Sequence, residues 1–177
     1  MSVGRAETRA LLAESGSADM VFNLDPASRS RLKNNAKLQL MAIPVPRTVL
    51  LKVNAGHPML SDVRARQALS MALDRDGIAR AILRYPAAAS QLFPPSVAQW
   101  HNASLTPLAY RVDRAKALLA ELGWKPGADG VLYRDGKPFS LTLTTYPDRP
   151  ELPLIAAAIQ QQLRDIGVKI AINATNS

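Results

Sequence analysis

The sequence predicts a protein of the α/β class. Three observations point there. Residues 113–123 place Ala115, Leu118, Leu119 and Leu122 at i, i+3, i+4 and i+7, the apolar stripe of an amphipathic helix. Residues 150–167 do the same at greater length, through Leu152, Ile155, Ala156, Ile159, Leu163 and Ile166. Segments of strand character flank that second helix. Residues 139–146 alternate Leu141, Leu143 and Thr145 against Ser140, Thr142 and Thr144, and residues 168–172 are rich in Val and Ile.

Length and composition set bounds. A chain of 177 residues buries one good core, or two small ones sharing a boundary. A hydrophobic fraction of 47% is that of a globular protein, and thirteen prolines imply several fixed turns. No apolar run approaches the roughly 18 residues that span a bilayer. The first thirty residues show no charged segment followed by an apolar one, so no signal peptide is visible. The absence of cysteine excludes disulfides, thiolate metal sites and a cysteine nucleophile. The formal charge of +8 suggests nucleic acid at first sight. Its distribution favours a basic solvated surface instead. The arginines are scattered among Asp and Glu, and the two short clusters, Arg29-Ser-Arg-Leu-Lys33 and Arg64-Ala-Arg66, have no interleaved aromatic residues.

Taken in order, residues 7–13 predict a short helix, broken at 16–19, and 20–22 a short buried strand. Asp25 with Pro26 predicts the start of a basic helix over 27–33. Residues 37–42 alternate and read as a strand. Ile43-Pro-Val-Pro46 cannot continue a ladder, because each proline removes a donor, and it reads as a stiff crossing and candidate hinge. Residues 48–54 are β-branched and aliphatic and read as a strand. Ser61 or Asp62 caps a helix running to about Leu73, and Asp74 caps a second, with Ile78, Ile82 and Leu83 on one face. Residues 85–107 form a long irregular connection with four prolines. Asp113 is expected to cap the next helix, Gly123 to end it and Trp124 to fold back onto the core. Asp135-Gly136 predicts a hairpin between 131–134 and 138–146. Pro150 opens the long helix, Pro153 is tolerable in its first turn, and Gly167 stops it.

Few residues carry chemistry on their own. His57 and His101 are the two histidines, and neither has a second imidazole or a carboxylate nearby at ligand spacing. No phosphate-cradling glycine loop and no G-x-S-x-G setting occurs. Asp62, Asp74, Asp76 and Asp148 are better explained as helix-terminal residues than as an acid/base pair. Arg64 and Arg66 project from different helix faces, and one of them is expected to reach a carboxylate in a neighbouring element.

A resemblance emerges from the order of several stretches. Asn54, Pro58, Asp62-Val-Arg-Ala-Arg-Gln-Ala-Leu69 and Ala72-Leu-Asp-Arg75 come first. Leu92-Phe-Pro-Pro-Ser96, then Tyr110 with the Asp113 to Trp124 run, then Pro126-Gly-Ala-Asp-Gly130 follow. Gly136-Lys-Pro and Ile159-Gln-Gln-Gln-Leu-Arg-Asp-Ile-Gly167 close the set, and Gly16-Ser-Ala-Asp-Met-Val-Phe22 precedes it. Together they resemble the family-5 extracellular solute-binding proteins, the dipeptide-, oligopeptide- and nickel-binding components of ABC importers. The resemblance implies a periplasmic-binding-protein-like (type II) lobe, a mixed sheet flanked by helices, within a two-lobed clamp that is incomplete in this chain. Residues 1–45 are then the remnant of a first lobe with the hinge approach, and 46–177 a second lobe truncated at its end. It further implies a periplasmic setting, a membrane permease as partner, and a short peptide or a nickel chelate as ligand. No catalytic residue, protein-held metal, cofactor or nucleic-acid partner is expected. Where the family often has an aromatic residue entering the second lobe, this sequence has Arg47-Thr48-Val49, which leaves a different ligand open.

Arg47, Thr48 and Asn54 are expected at the lobe boundary, with Arg47 facing the ligand. Pro44 and Pro46 pin the crossing, so the following residues hold a fixed direction, and Arg47 presents a planar donor fork suited to a carboxylate. His101, in the long connection, is the fourth candidate for ligand contact. The alternative reading is a small basic interaction or nucleic-acid-binding module that uses the 85–107 connection.

Overall fold

The computed structural model describes residues 2–43, 45–84 and 88–175. Two helices, α1 (Ala6–Glu14) and α2 (Pro26–Leu32), pack on each other as a first unit. Helix α2 starts where its sequence predicts. Asp25 Oδ1 accepts from the Ser28 amide at 2.8 Å, and Pro26 takes the first helical position, where no donor is needed.

The second unit is larger. Helices α3 (Val63–Met71) and α5 (Val112–Glu121) lie against each other, and α4 (Arg75–Ile78) runs on into a π-helical turn, Ala79–Leu83. Asp62 caps α3, and Asp74 caps α4 by accepting from the Gly77 amide at 2.8 Å. Strands β1 (Lys125–Pro126), β2 (Leu132–Arg134) and β3 (Lys137–Pro138) form a small antiparallel sheet in that order. The turn between β2 and β3 has positive φ at both Asp135 (53°) and Gly136 (73°), the conformation that Asp-Gly favours in a two-residue hairpin. Strands β4 (Ser140–Thr145) and β5 (Lys169–Ala174) pair in parallel, with helix α6 (Glu151–Arg164) as the crossover.

The mixed sheet that the resemblance implies therefore comes in two pieces among the described residues, and Phe139 joins them. Its N–H donates to Leu132 O at 2.7 Å and its carbonyl accepts from the Lys169 amide at 2.9 Å. The Phe139 ring is fully buried and stacks on Trp124 with centroids 4.4 Å apart. Leu118 and Leu119 of α5, Ile159 and Leu163 of α6, and Val168 complete the centre of the core. Gly123 (φ 84°) ends α5 and turns Trp124 inward, and the Arg134 guanidinium covers the Trp124 ring at 4.6 Å.

Several expectations differ from the structure. Residues 20–22 form no strand, and Met20 and Phe22 are 72% and 71% exposed. Residues 37–42 and 48–54 also belong to no sheet among the described residues. Apolar, β-branched composition favours a strand, but a strand exists only where a second backbone supplies the ladder. Pro44 and residues 85–87 lie outside the described residues; the rest of the long connection, 88–107, contains neither helix nor strand. Helix α5 begins at Val112 with Arg111 in the cap position, so Asp113 sits in its first turn and pairs with Arg111 at 3.2 Å. The Arg111 amide is held by Met71 O instead, which moves the helix start forward. Pro150, not Asp148, occupies the cap position of α6. Arg64 reaches its own helix cap, Asp62, rather than a neighbouring element, and Arg66 donates to the carbonyls of Leu60 and Ser61.

Two outcomes follow for stability. Phe139→Ala removes the ring that both sheet pieces rest on, and a loss of about 3–5 kcal/mol is expected in denaturant unfolding. The second concerns pH. Arg64 donates to both Asp62 oxygens from its side chain, and its backbone N–H adds a bond at 2.8 Å. Chiefly through the side-chain bonds, the Asp62 carboxyl falls from its ordinary value of 3.8 to about 2. A depressed carboxyl stabilises the folded state above its unfolded value and loses that contribution as pH falls through its folded value. The melting-temperature gap between wild type and Asp62→Asn should therefore close between pH 3.8 and about 2. A gap that persists at the acid end would refute the assignment.

Candidate functional site

A cleft of about 970 Å³ opens between the two units. One wall comes from the first unit: the start of the chain, Arg9 and Leu12 of α1, and the 18–24 segment. The other comes from Leu83 and from the turn between β4 and α6, Asp148 to Glu151, with Arg47 also on the lining. Three arginines (Arg9, Arg47, Arg149) and three carboxylates (Asp19, Asp148, Glu151) face it.

These charges are not equivalent. Arg9 is committed to backbone. Nη1 donates to the Val3 and Gly4 carbonyls at 2.7 and 2.9 Å, Nε to Phe22 O at 2.9 Å, and Nη2 to Asn23 O at 2.7 Å. One guanidinium thereby holds two segments of the first wall against each other, which a lysine's point charge does less well. Asn23 between them adopts φ 56°, a left-handed conformation that Asn tolerates. Arg149 pairs with Glu151, both at the start of α6, where an acidic side chain is favoured by the helix dipole. Arg47 is exposed, and its guanidinium has no partner among the described residues. Its backbone is fixed, since its N–H donates to Val45 O at 2.7 Å across Pro46.

Of the residues expected from the sequence, the cleft receives Arg47 alone. Thr48 Oγ1 donates to Leu92 O at 2.8 Å and ties the crossing to the long connection. Asn54 turns its Oδ1 onto the Gly56 amide at 3.0 Å and stabilises a local turn. His101 Nδ1 lies 2.9 Å from Phe93 O, within a loop that Phe93 and Trp100 also close with a ring contact at 5.8 Å. Gln91 and Asn102 bond twice across the base of that loop, each at 3.0 Å. Arg9 and the 148–151 turn, which line the cleft, carry no motif. A charged turn between a strand and a helix was the one signal available. Among the described residues, no group of three or more His, Asp or Glu could hold a metal ion.

The whole chain, residues 1–177, matches the family described as bacterial extracellular solute-binding proteins, family 5 Middle. The chain belongs to this family. It is 35% identical over 121 residues to the oligopeptide-binding protein AppA of Bacillus subtilis, an alignment covering 66% of this chain and 22% of AppA. It is 26% identical over 171 residues to the glutathione-binding protein GsiB of Shigella flexneri, covering 96% of this chain and 31% of GsiB. NikA from Brucella suis, solved in complex with Fe(III)-EDTA, superposes with a TM-score of 0.90 at 24% identity, over 99% of this chain and 36% of NikA. The AppA crystal structure, which holds a nonapeptide, superposes at 0.85 with 26% identity, over 98% and 35%. The fold is that of the type II periplasmic binding proteins, of which this family-5 chain has a part. Its relatives are solute-binding proteins, not enzymes.

The Arg9 geometry has a measurable consequence. In Arg9→Met the 22–24 segment should lose its attachment to α1. Proteolytic cleavage within 20–24 is expected to accelerate while amide exchange in α5 and α6 stays as in wild type. Unchanged cleavage at 20–24 would show that Arg9 does not hold the wall.

Proposed function

We propose that this family-5 chain forms part of the solute-binding component of an ABC importer. The component captures a short peptide or a nickel chelate in the periplasm and delivers it to the membrane permease. Residues 1–45 are read as the end of a first lobe with its approach to the hinge, and 46–177 as part of a second lobe. The observation that carries this reading is the cleft between the two units, with Arg47, unpartnered among the described residues, on its lining. A binding protein needs pre-placed polar groups at a boundary between moving parts, rather than an acid and a base.

Arg47 is the group we assign to the ligand. A nonapeptide and an EDTA chelate, the ligands held by AppA and NikA, both carry carboxylates. A guanidinium that spends no side-chain donor on the described residues is suited to a carboxylate, and the tight turn at Pro46 limits what ordering it costs. Thr48, Asn54 and His101 act one step away on this reading. Thr48 and His101 shape the long connection beside the crossing, and Asn54 the turn before α3.

The experiment is calorimetry on the complete polypeptide that carries this segment, titrated with dipeptides, with glutathione and with nickel–histidine. Arg47→Ala should weaken whichever of these binds by about 1.5–3 kcal/mol, the scale of a hydrogen bond to a charged group. Full affinity in Arg47→Ala, with unchanged stability, would remove Arg47 from the site. No heat with any of the three classes would remove the ligand assignment.

A further inference from the structure

Helix α4 does not end as an ordinary helix. It widens into the π-helical turn 79–83, from which the Arg84 amide reaches back five residues to Ala79 O. Arg84 itself adopts φ 53° and ψ 37°, the left-handed region that a residue with a Cβ enters only when its surroundings impose it. A helix end leaves its last carbonyls without donors of their own, and partial negative charge collects there. Here one group serves two of them. Arg29 Nη2 stands 2.9 Å from Arg84 O and 3.4 Å from Leu83 O.

Arg29 belongs to α2, and its partners lie 54 and 55 residues further along, in the second unit. The bond sits at the cleft itself: Leu83, and Pro26 at the start of α2, both line it. Helix α2 is in turn bound to α1 by packing and by the Arg31–Glu14 ion pair. Helix α1 carries Arg9, which holds the 22–23 backbone. A movement at the α2 end is thus passed to the whole first wall.

We propose that Arg29 is a positioning residue for the cleft. From the first unit it caps the π-helical end of the second, and so sets the separation of the two walls. The functional meaning rests on the cleft being the ligand site; the geometry does not. Because a single nitrogen makes both bonds, a lysine, whose ammonium lies one bond closer to the backbone, can keep the shorter of them after a small shift, and an apolar side chain of similar length can keep neither.

The chain has no cysteine, so pairs of spin labels can be placed cleanly. Thr8→Cys on α1 and Lys116→Cys on α5, both exposed in wild type, report the distance between the units. Dipolar electron resonance should give one narrow distance with Arg29 present and nearly the same with Arg29→Lys. Arg29→Met should broaden it and add longer distances while cooperative melting is kept. An unchanged distribution in Arg29→Met would overturn the proposal. So would an Arg29→Lys distribution as broad as that of Arg29→Met. Loss of cooperative unfolding in Arg29→Met would also overturn it, since the core of α3, α5 and α6 contains no part of Arg29. No ligand enters the measurement, so a wrong ligand assignment leaves these distances as they are.

Discussion

The second unit depends on one change of pairing at a buried residue. Upstream of Phe139 the chain pairs antiparallel in a hairpin; downstream it pairs parallel with a strand thirty residues further along. Phe139 sits at the switch with its backbone spent on both partners and its ring stacked on Trp124. The switch works only because the chain comes very close at a second point. Gly167 ends α6 at φ 84°, and its carbonyl accepts from the Leu132 amide at 2.8 Å. A Cβ there would stand 2.7 Å from Leu132 Cγ and 3.2 Å from Gly130 O. The glycine that stops the helix is therefore also the one that lets the hairpin close on the parallel pair.

This arrangement determines what reaches the cleft. Strand β4 runs outward from Phe139 to Thr145, which is buried and bonded through its carbonyl to the Thr175 amide. The chain then turns through 148–151 and returns as α6, whose Ile155, Ile159 and Leu163 lie in the core. Both ends of that turn are anchored, so Arg149 and Glu151 are presented from a rigid support. The opposite wall is of another kind. Residues 18–24 carry exposed Met20 and Phe22 and are held by Arg9 through carbonyl bonds rather than by burial. Polar bonds open at lower free energy than a packed core, so the wall of the first unit is the softer of the two.

The legible parts of this fold were those set by short-range physics. The stripes of α5 and α6, the caps at Asp25, Asp62 and Asp74, and the Asp-Gly turn each depend on residues within a few positions. Segments 20–22, 37–42 and 48–54 were misread because a ladder depends on a partner that sequence spacing does not reveal. Val49, Leu50, Leu51 and Val53 have strand composition and remain between 37% and 47% exposed. The cleft divides along the same line. The place of Arg47 on its lining was reachable by a backbone argument, through the prolines before it. The fold-back of the long connection was not, and it alone brings the Leu92 carbonyl to Thr48 Oγ1 and the Phe93 carbonyl to His101 Nδ1.

The arginines around the cleft show why residue type alone is a poor guide to a binding site in a chain this basic. Arg9 makes four bonds to backbone carbonyls and serves as internal scaffolding. Arg29 spends one nitrogen on two carbonyls and joins the units. Arg149 is neutralised by Glu151 two residues on. Arg47 has spent none of its side-chain donors on the described residues, yet its main chain is pinned. All four have the same charge and lie near the same opening. What separates them is how many donors the fold has already satisfied. A satisfied guanidinium brought to a ligand must first break bonds it has. An unsatisfied one on a fixed backbone gives up mainly solvent, which leaves more of the interaction for binding.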